Sequence, residues 1–333
     1  MQVWLTSLLL VVCGLTAQGQ AWAQTATNDT PLAAWLLRVH QAARQSVYTG
    51  TVVVSCSAGV ACARIWHVCD GTQQLERVES LSGVPRAIFR HNDQVVTFFP
   101  QTRIAVAEVR ESLGLFSDLL KSSDSSIGDF YQLKTLGAER IAGFEAEIFL
   151  LQPKDVMRYG YRVWSEKKTG LIIQLQTLDV QGRVLEQSAF SELQLGAVVN
   201  VPKLYRSGNT DGYRVVRPDL QKTTADAQGW MLQKPVDGFK PMGCYQRPPI
   251  APPQGTQNIV PNTMQWVFSD GVATVSLFVE AYDVRRHARE GVSDMGGATR
   301  TLARRIDGWW VTAVGEVPVA TLSAFALALE RKK

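Results

Sequence analysis

The sequence has little of what most often carries chemistry. Its 333 residues include four histidines and five cysteines. It contains no G-x-S-x-G, H-E-x-x-H, G-x-x-x-x-G-K or G-x-G-x-x-G segment, so the common hydrolase, zinc-protease and nucleotide-binding signatures are absent. His40 falls in a helical pattern and His67 in a strand pattern beside Trp66, and both read as packed or hydrogen-bonded side chains rather than general bases. Zinc fits poorly, because His67 and Cys69 have no second ligand pair and no C-x-x-C occurs. Asp124 and Asp129 flank a polar loop and read as solvated. Neither an enzyme nor a cofactor is expected. Beyond residue 23 there is no uncharged apolar run of the roughly 20 residues a membrane helix needs. Dense Lys/Arg runs are missing too, which argues against nucleic acid.

What is present begins at the N-terminus. Leu8 to Val12 form a short apolar run, and Ala21-Trp22-Ala23 follows as a small-x-small cleavage signal. That layout predicts a secretory signal peptide over 1–23 and work outside the cytoplasm, in an oxidising space. The remaining chain has length for two domains. The net charge of +4 is uneven: residues 203–333 hold 17 basic and 12 acidic side chains, residues 24–202 hold 17 and 18. A positive bias of that size suits acidic partners or anionic head groups, or is simply a solvated surface.

Four cysteines follow the signal peptide. Cys56 and Cys62 flank Ser57-Ala58-Gly59-Val60-Ala61, which reads as a hairpin tip. Opposed strand positions come close enough for a disulfide, so a Cys56–Cys62 bridge is expected; a Cys69–Cys244 bridge would link the two halves, but the sequence leaves that pairing open. Free thiols packed as small apolar groups are the alternative.

The patterning predicts an α+β chain. Leu32, Trp35, Leu36 and Val39 recur at helical spacing, placing a helix at about 31–45. Short strands follow over 51–55, 63–69, 74–81, 86–90, 94–99 and 103–109, separated by turn signals. Leu113, Phe116, Leu119 and Leu120 give a helical segment over 111–120, and strands resume over 145–151, 160–166, 170–178 and 184–193. Residues 207–228 lack apolar periodicity and read as a linker between a domain at 24–206 and a smaller one at 229–333. The second domain shows strands near 264–269, 272–281, 297–306 and 309–315, then a helix from Pro318 with Val319, Leu322, Phe325 and Leu329 on one stripe. Arg247 to Pro253 is Pro-rich and reads as an exposed loop. A twisted antiparallel sheet around one helix can leave a concave apolar face; otherwise the same side chains fill a core.

Several stretches together resemble the RseB/MucB family of periplasmic negative regulators of the envelope-stress sigma factor. They are Tyr48-Thr49-Gly50-Thr51, Glu76 to Arg86, Tyr161-Arg162-Val163-Trp164, Leu178 to Gly182, Phe268-Ser269-Asp270-Gly271 and Val314 to Pro318. The resemblance implies a large N-terminal antiparallel half-barrel with helices, similar to the lipoprotein carriers LolA and LolB, plus a smaller C-terminal α+β domain. It implies binding of the periplasmic segment of a membrane-spanning anti-sigma factor, shielding of that segment from the site-1 protease, release by lipid or lipopolysaccharide fragments, and self-association. Cys56, Cys62 and Cys69 depart from the family pattern. A periplasmic lipid or lipoprotein carrier is the alternative reading. Lipid-facing candidates are Val52, Val54, Trp66, Phe98, Phe99, Leu115, Phe116 and Leu119, with Phe89 as further lining. Partner-facing candidates are Arg285, Arg286, Arg289, Arg300, Arg304 and Arg305, with the 244–262 loop.

Overall fold

The computed structural model describes residues 32–69, 72–109, 126–247 and 262–332. The expected signal peptide, the 111–120 helix with Leu115, Phe116 and Leu119, and most of the Pro-rich loop lie outside the described residues.

Helix α1 (Leu32–Gln45) buries Trp35, Leu36, Val39 and Ala42, a stripe at spacings of one, three and three residues that a 3.6-residue turn gathers on one side. A meander follows: β1 (Val47–Cys56), β2 (Gly59–Cys69), β3 (Gln74–Ser80), β4 (Ala87–His91), β5 (Gln94–Phe99) and β6 (Ile104–Val109). After the one-turn α2 (Ile127–Phe130) comes a second meander: β7 (Tyr131–Ile141), β8 (Phe144–Pro153), β9 (Gly160–Glu166), β10 (Ile172–Leu178) and β11 (Val184–Leu195). Then α3 (Val201–Arg206) leads into β12 (Arg214–Val216). Pairing of β1 with β11 joins both meanders into one twelve-stranded sheet, with β12 and β7 at its two edges. The sheet is therefore open. β7 has no expected counterpart, because its residues are mostly exposed and polar and give no alternating apolar signal.

The second unit is built from β13 (Gln221–Thr223), β14 (Trp230–Leu232), β15 (Lys240–Arg247), β16 (Thr263–Ser269), β17 (Thr274–Ala281), β18 (Gly291–Asp294), β19 (Arg300–Ile306), β20 (Trp309–Gly315), α4 (Val319–Ala328) and β21 (Leu329–Arg331). Seven of these strands make an antiparallel sheet in the order β13-β15-β16-β17-β20-β19-β18. One face packs Val275, Leu277, Val279, Val311 and Ala313 against Leu322 and Phe325 of α4.

Three expectations need correction. The 207–228 stretch is not only a linker: β12 pairs in parallel with β6 of the first sheet, and β13 pairs with β15 of the second. Leu329 does not extend the last helix, because α4 ends at Ala328 and β21 pairs with β14, burying Leu329 in the C-terminal core. The Cys56–Cys62 bridge does not form. Cys56 stands opposite Gly59 and Cys62 opposite Val53. The loop is Ser57-Ala58 alone, tighter than the five-residue tip expected, and Val53 lies three residues from Cys56. Strand alternation therefore sends the two thiols to opposite faces. Cys69 and Cys244 form no disulfide either: one is buried near His67 in the first sheet and the other in the C-terminal core.

The two units share a core. Val272, in the β16–β17 turn, and Ala298, before β19, pack with Trp35, Ile127, Tyr131, Phe149 and Tyr161 of the first unit.

Candidate binding cleft

Register assigns each side chain of the large sheet to a face. Val52 is paired with Phe190 and Ala63, Ile65 with Val78, and Phe99 with Ile104. Alternation carries these onto one face together with Val54, Ile88 and Val106. α1 lies on this face, with Trp35 against Phe149 at 5.4 Å between ring centroids. Val52 is fully buried, whereas Val54, Ile88, Phe99, Ile104 and Val106 are half-buried.

Two sequence candidates fall on the other face. Trp66 is paired with Thr49 and Arg77, and Phe98 with Ala87 and Ala105. There they pack with Phe89, Leu204 of α3, Tyr213 and Val215. Gly208 permits that cover, since a Cβ there would lie 2.3 Å from the Phe89 ring. Trp66, Phe89 and Phe98 therefore cannot line one surface with Val52, Val54 and Phe99: neighbours along a strand point apart.

The C-terminal sheet presents its own second face. Opposite α4, paired positions bring together Tyr245, Gln265, Val267, Phe278, Thr312 and Val314, all half-buried. Arg247 belongs to this face and lies 3.8 Å from Glu108, and Glu108, opposite Val95, belongs to the N-terminal face just described. The two faces are thus turned toward each other on this side of the molecule. At another point of contact the Gly296-Gly297 turn meets Ala58, Cys56 and Glu186. Half-buried side chains, several of them apolar, thus stand on both sheets, and the space between them, with the Arg247–Glu108 contact at its margin, is the candidate cleft.

One polar network fixes the two units together. Arg158, fully buried in the β8–β9 connection, donates from Nε to Asp270 Oδ2 at 2.7 Å. Its other nitrogens reach Asp155 and the carbonyl of Asp237. Tyr131 donates to the same Asp270 oxygen at 3.1 Å, while Asp270 Oδ1 accepts from the Val272 and Ala273 amides. Burial and the Asp270 carboxylate push the Tyr131 phenol well above its usual range, so it stays a donor. The guanidinium lies over Phe130 at 4.2 Å and Phe239 at 5.1 Å. Thr321 of α4 donates to the Met157 carbonyl. Arg158 gives no sequence signal, being one arginine in a loop, and Asp270 reads only as a turn residue.

A second polar row lies under α1. His67 Nδ1 is 3.0 Å from Glu76 Oε2, and Nε2 is 3.1 Å from the Ala43 carbonyl. Both ring nitrogens face acceptors, so the doubly protonated ring fits best. Burial alone would lower its pKa; hydrogen bonds with Cys69 and Glu76, and the Glu76 charge, outweigh that and raise it to about 9.

The six arginines expected to meet a partner are mostly engaged within the chain. Arg285 pairs with Asp283, and its hydrogen bonds hold that carboxyl down at about 2. Arg286 pairs with Glu280, and Arg300 with Asp294. Arg304 donates to the Ala326 carbonyl, and Arg305 to that of Asp307 while lying over Tyr282. Arg289 is exposed and, among the described residues, has no ion-pair partner. The six do not make a patch of free cations.

Comparison with known proteins follows the same division. Residues 31–211 match the MucB/RseB N-terminal domain and residues 224–330 the MucB/RseB C-terminal domain. The chain is 26% identical over 328 residues to the sigma factor AlgU regulatory protein MucB of Pseudomonas aeruginosa, covering 97% of this chain and 96% of that one. It is 24% identical over 326 residues to the sigma-E factor regulatory protein RseB of Salmonella typhimurium, covering 94% of each. A crystal structure of MucB in complex with MucA(peri) superposes with a TM-score of 0.65 at 25% identity, over 90% of this chain and 98% of that chain. A crystal structure of MucB alone gives 0.60 at the same identity, over 90% of this chain and 97% of that one.

Proposed function

This chain belongs to the MucB/RseB family, and on that premise we propose that it is a periplasmic regulator that captures the periplasmic segment of a membrane-spanning anti-sigma factor. Export follows from the N-terminal signal read in the sequence. Capture is non-covalent, through the apolar side chains that the two sheets present to each other. Held in the cleft, the segment is shielded from the site-1 protease. Lipid or lipopolysaccharide then releases it by occupying the half-buried N-terminal face formed by Val54, Ile88, Phe99, Ile104 and Val106.

The observation that carries this reading is the pair of half-buried apolar sheet faces turned toward each other. A ligand shifts such a system only by its differential affinity for two arrangements. Burying an acyl chain contributes about 0.8 kcal/mol per CH₂, so a few methylenes supply the ~1–3 kcal/mol of a typical coupling.

The direct test is titration of the purified chain with the periplasmic segment of the anti-sigma factor from the same organism, with and without lipopolysaccharide. Binding at micromolar concentration or tighter, weakened about 5- to 150-fold by lipopolysaccharide, is the expected result. Absence of binding at micromolar concentration would overturn the assignment. Binding unaffected by lipid would leave capture standing and remove lipid release.

A further inference from the structure

We propose that Arg158 and Asp270 form an interdomain latch that sets the width of the cleft and thereby the affinity for the captured segment. The inference deepens the proposed capture and rests on it for its affinity readout only. Arg158 comes from the first unit and Asp270 from the second, and both side chains are fully buried. Each guanidinium nitrogen and both carboxylate oxygens of the pair have a partner. The guanidinium has Asp270, Asp155 and the Asp237 carbonyl; the Asp270 carboxylate has Arg158, Tyr131 and two backbone amides. Phe130 of the first unit and Phe239 of the second flank the guanidinium.

Packing leaves no slack around it. Gly238, at a φ of 82°, sits so close that a Cβ would come within 2.1 Å of Arg158 Nη2 and 2.8 Å of the Phe130 ring. A buried ion pair adds little stability over a packed apolar pair, but it is directional, and losing one partner is strongly unfavourable. Such a contact favours one relative placement of the two units over others. The latch also lies beside Val272 and Tyr131, in the core both units share, whereas Arg247 and Glu108 at the cleft margin are 3.8 Å apart and both partly exposed to water. Opening at the margin with the latch as pivot, or release of the latch itself, changes the distance between the two apolar walls.

Asp270→Asn is the informative variant. It keeps an acceptor for the Val272 and Ala273 amides and removes the charge that faces Arg158. In the full chain it should split a single calorimetric unfolding transition into two, increase the radius of gyration measured by X-ray scattering, and weaken binding of the anti-sigma segment about tenfold, within the ~5- to 150-fold range of typical couplings. A covalent substitute for the latch is available. A Cβ at Gly297 would lie 3.5 Å from the Cβ of Cys56, at the short end of the disulfide range of about 3.5–4.5 Å. The Glu186 carboxylate is the group in the way. Adding Gly297→Cys and Glu186→Ala to Asp270→Asn should restore one transition, the smaller radius and the tighter binding once oxidised, and lose all three with dithiothreitol.

The proposal falls if Asp270→Asn unfolds in one transition with unchanged radius and affinity, if the wild-type chain already unfolds in two steps, or if the formed disulfide restores nothing. Should Asp270→Asn fail to fold, Tyr131→Phe removes a single donor and must move the same readouts in the same direction. If the wild-type chain ignores the segment altogether, capture is wrong, and calorimetry and scattering still judge the latch.

Discussion

The two ends of the N-terminal sheet's inner face make a natural comparison. Where α1 crosses it, Val52 and Val163 are completely buried: Trp35 and Val39 pack with Val163 and Phe149, and Ala42 packs in the cluster that holds Val52. Toward β4–β6 the same face carries Ile88, Phe99, Ile104 and Val106, and all four are half-buried. Residue types and alternation are alike at both ends. What differs is the cover: α1 lies over one end, while at the other Val95 and Thr97 of the same face are buried and these four side chains keep part of their surface exposed. A strand pattern records that one face avoids water, not which object keeps the water away.

Hollowing out the filled end should have the largest effect. Trp35→Ala should cost about 3–5 kcal/mol, as for other buried large-to-small changes, read from denaturant unfolding. Trp35→Phe should cost far less, because the indole N–H is buried with no hydrogen-bond acceptor among the described residues, so its removal leaves nothing unpaired. A loss below about 1 kcal/mol for Trp35→Ala, under the range for such buried truncations, would mean that α1 is dispensable and that the two ends are not different in kind.

Legibility in the sequence follows the same boundary. α1 and most core strands can be read, because periodicity reports burial and the turns carry Gly, Asn and Asp. β7, β12, β13 and β18 cannot, since they are short or solvent-facing and owe their existence to a neighbour's free edge. The site is half legible. Val54 and Phe99 fall on the cleft wall, but apolar character alone groups Trp66 and Phe98 with them, although strand parity separates the two pairs. For Cys56 and Cys62 the difficulty is loop length: a two-residue turn puts their positions out of phase. Arg158 and Asp270 are invisible as a pair because 112 residues separate them.

A second test adjusts the filled end without mutation. His67 sits between the sheet and the carbonyl of Ala43 on α1. Its pKa is raised from 6.5 to about 9 in the folded chain. The stabilisation is therefore complete below about pH 6.5 and fades as pH rises through about 9. Each pH unit between those two values corresponds to about 1.36 kcal/mol, so the imidazolium contributes roughly 3 kcal/mol at most. Unfolding free energies measured between pH 6 and 10 should fall across that window, and His67→Gln should flatten the slope. An unchanged slope in the variant would remove the imidazolium as a tie between α1 and the sheet.

The smallest expected effect on stability separates the two faces most finely. Phe98 and Phe99 are chain neighbours on β5, one buried under α3 and Tyr213, the other half-buried on the cleft wall. Phe99→Ala should cost about 1 kcal/mol, roughly half the transfer energy of a fully buried ring, and should reduce release of the anti-sigma segment by lipopolysaccharide at least about fivefold. Phe98→Ala should cost about 3–5 kcal/mol and leave release unchanged in the fraction that folds. The decisive quantity is the crossover: a greater stability loss with no effect on release at one residue, the reverse at the next. If both substitutions altered release alike, the inner face would not be the lipid surface, since alternation permits only one of these two rings to touch it.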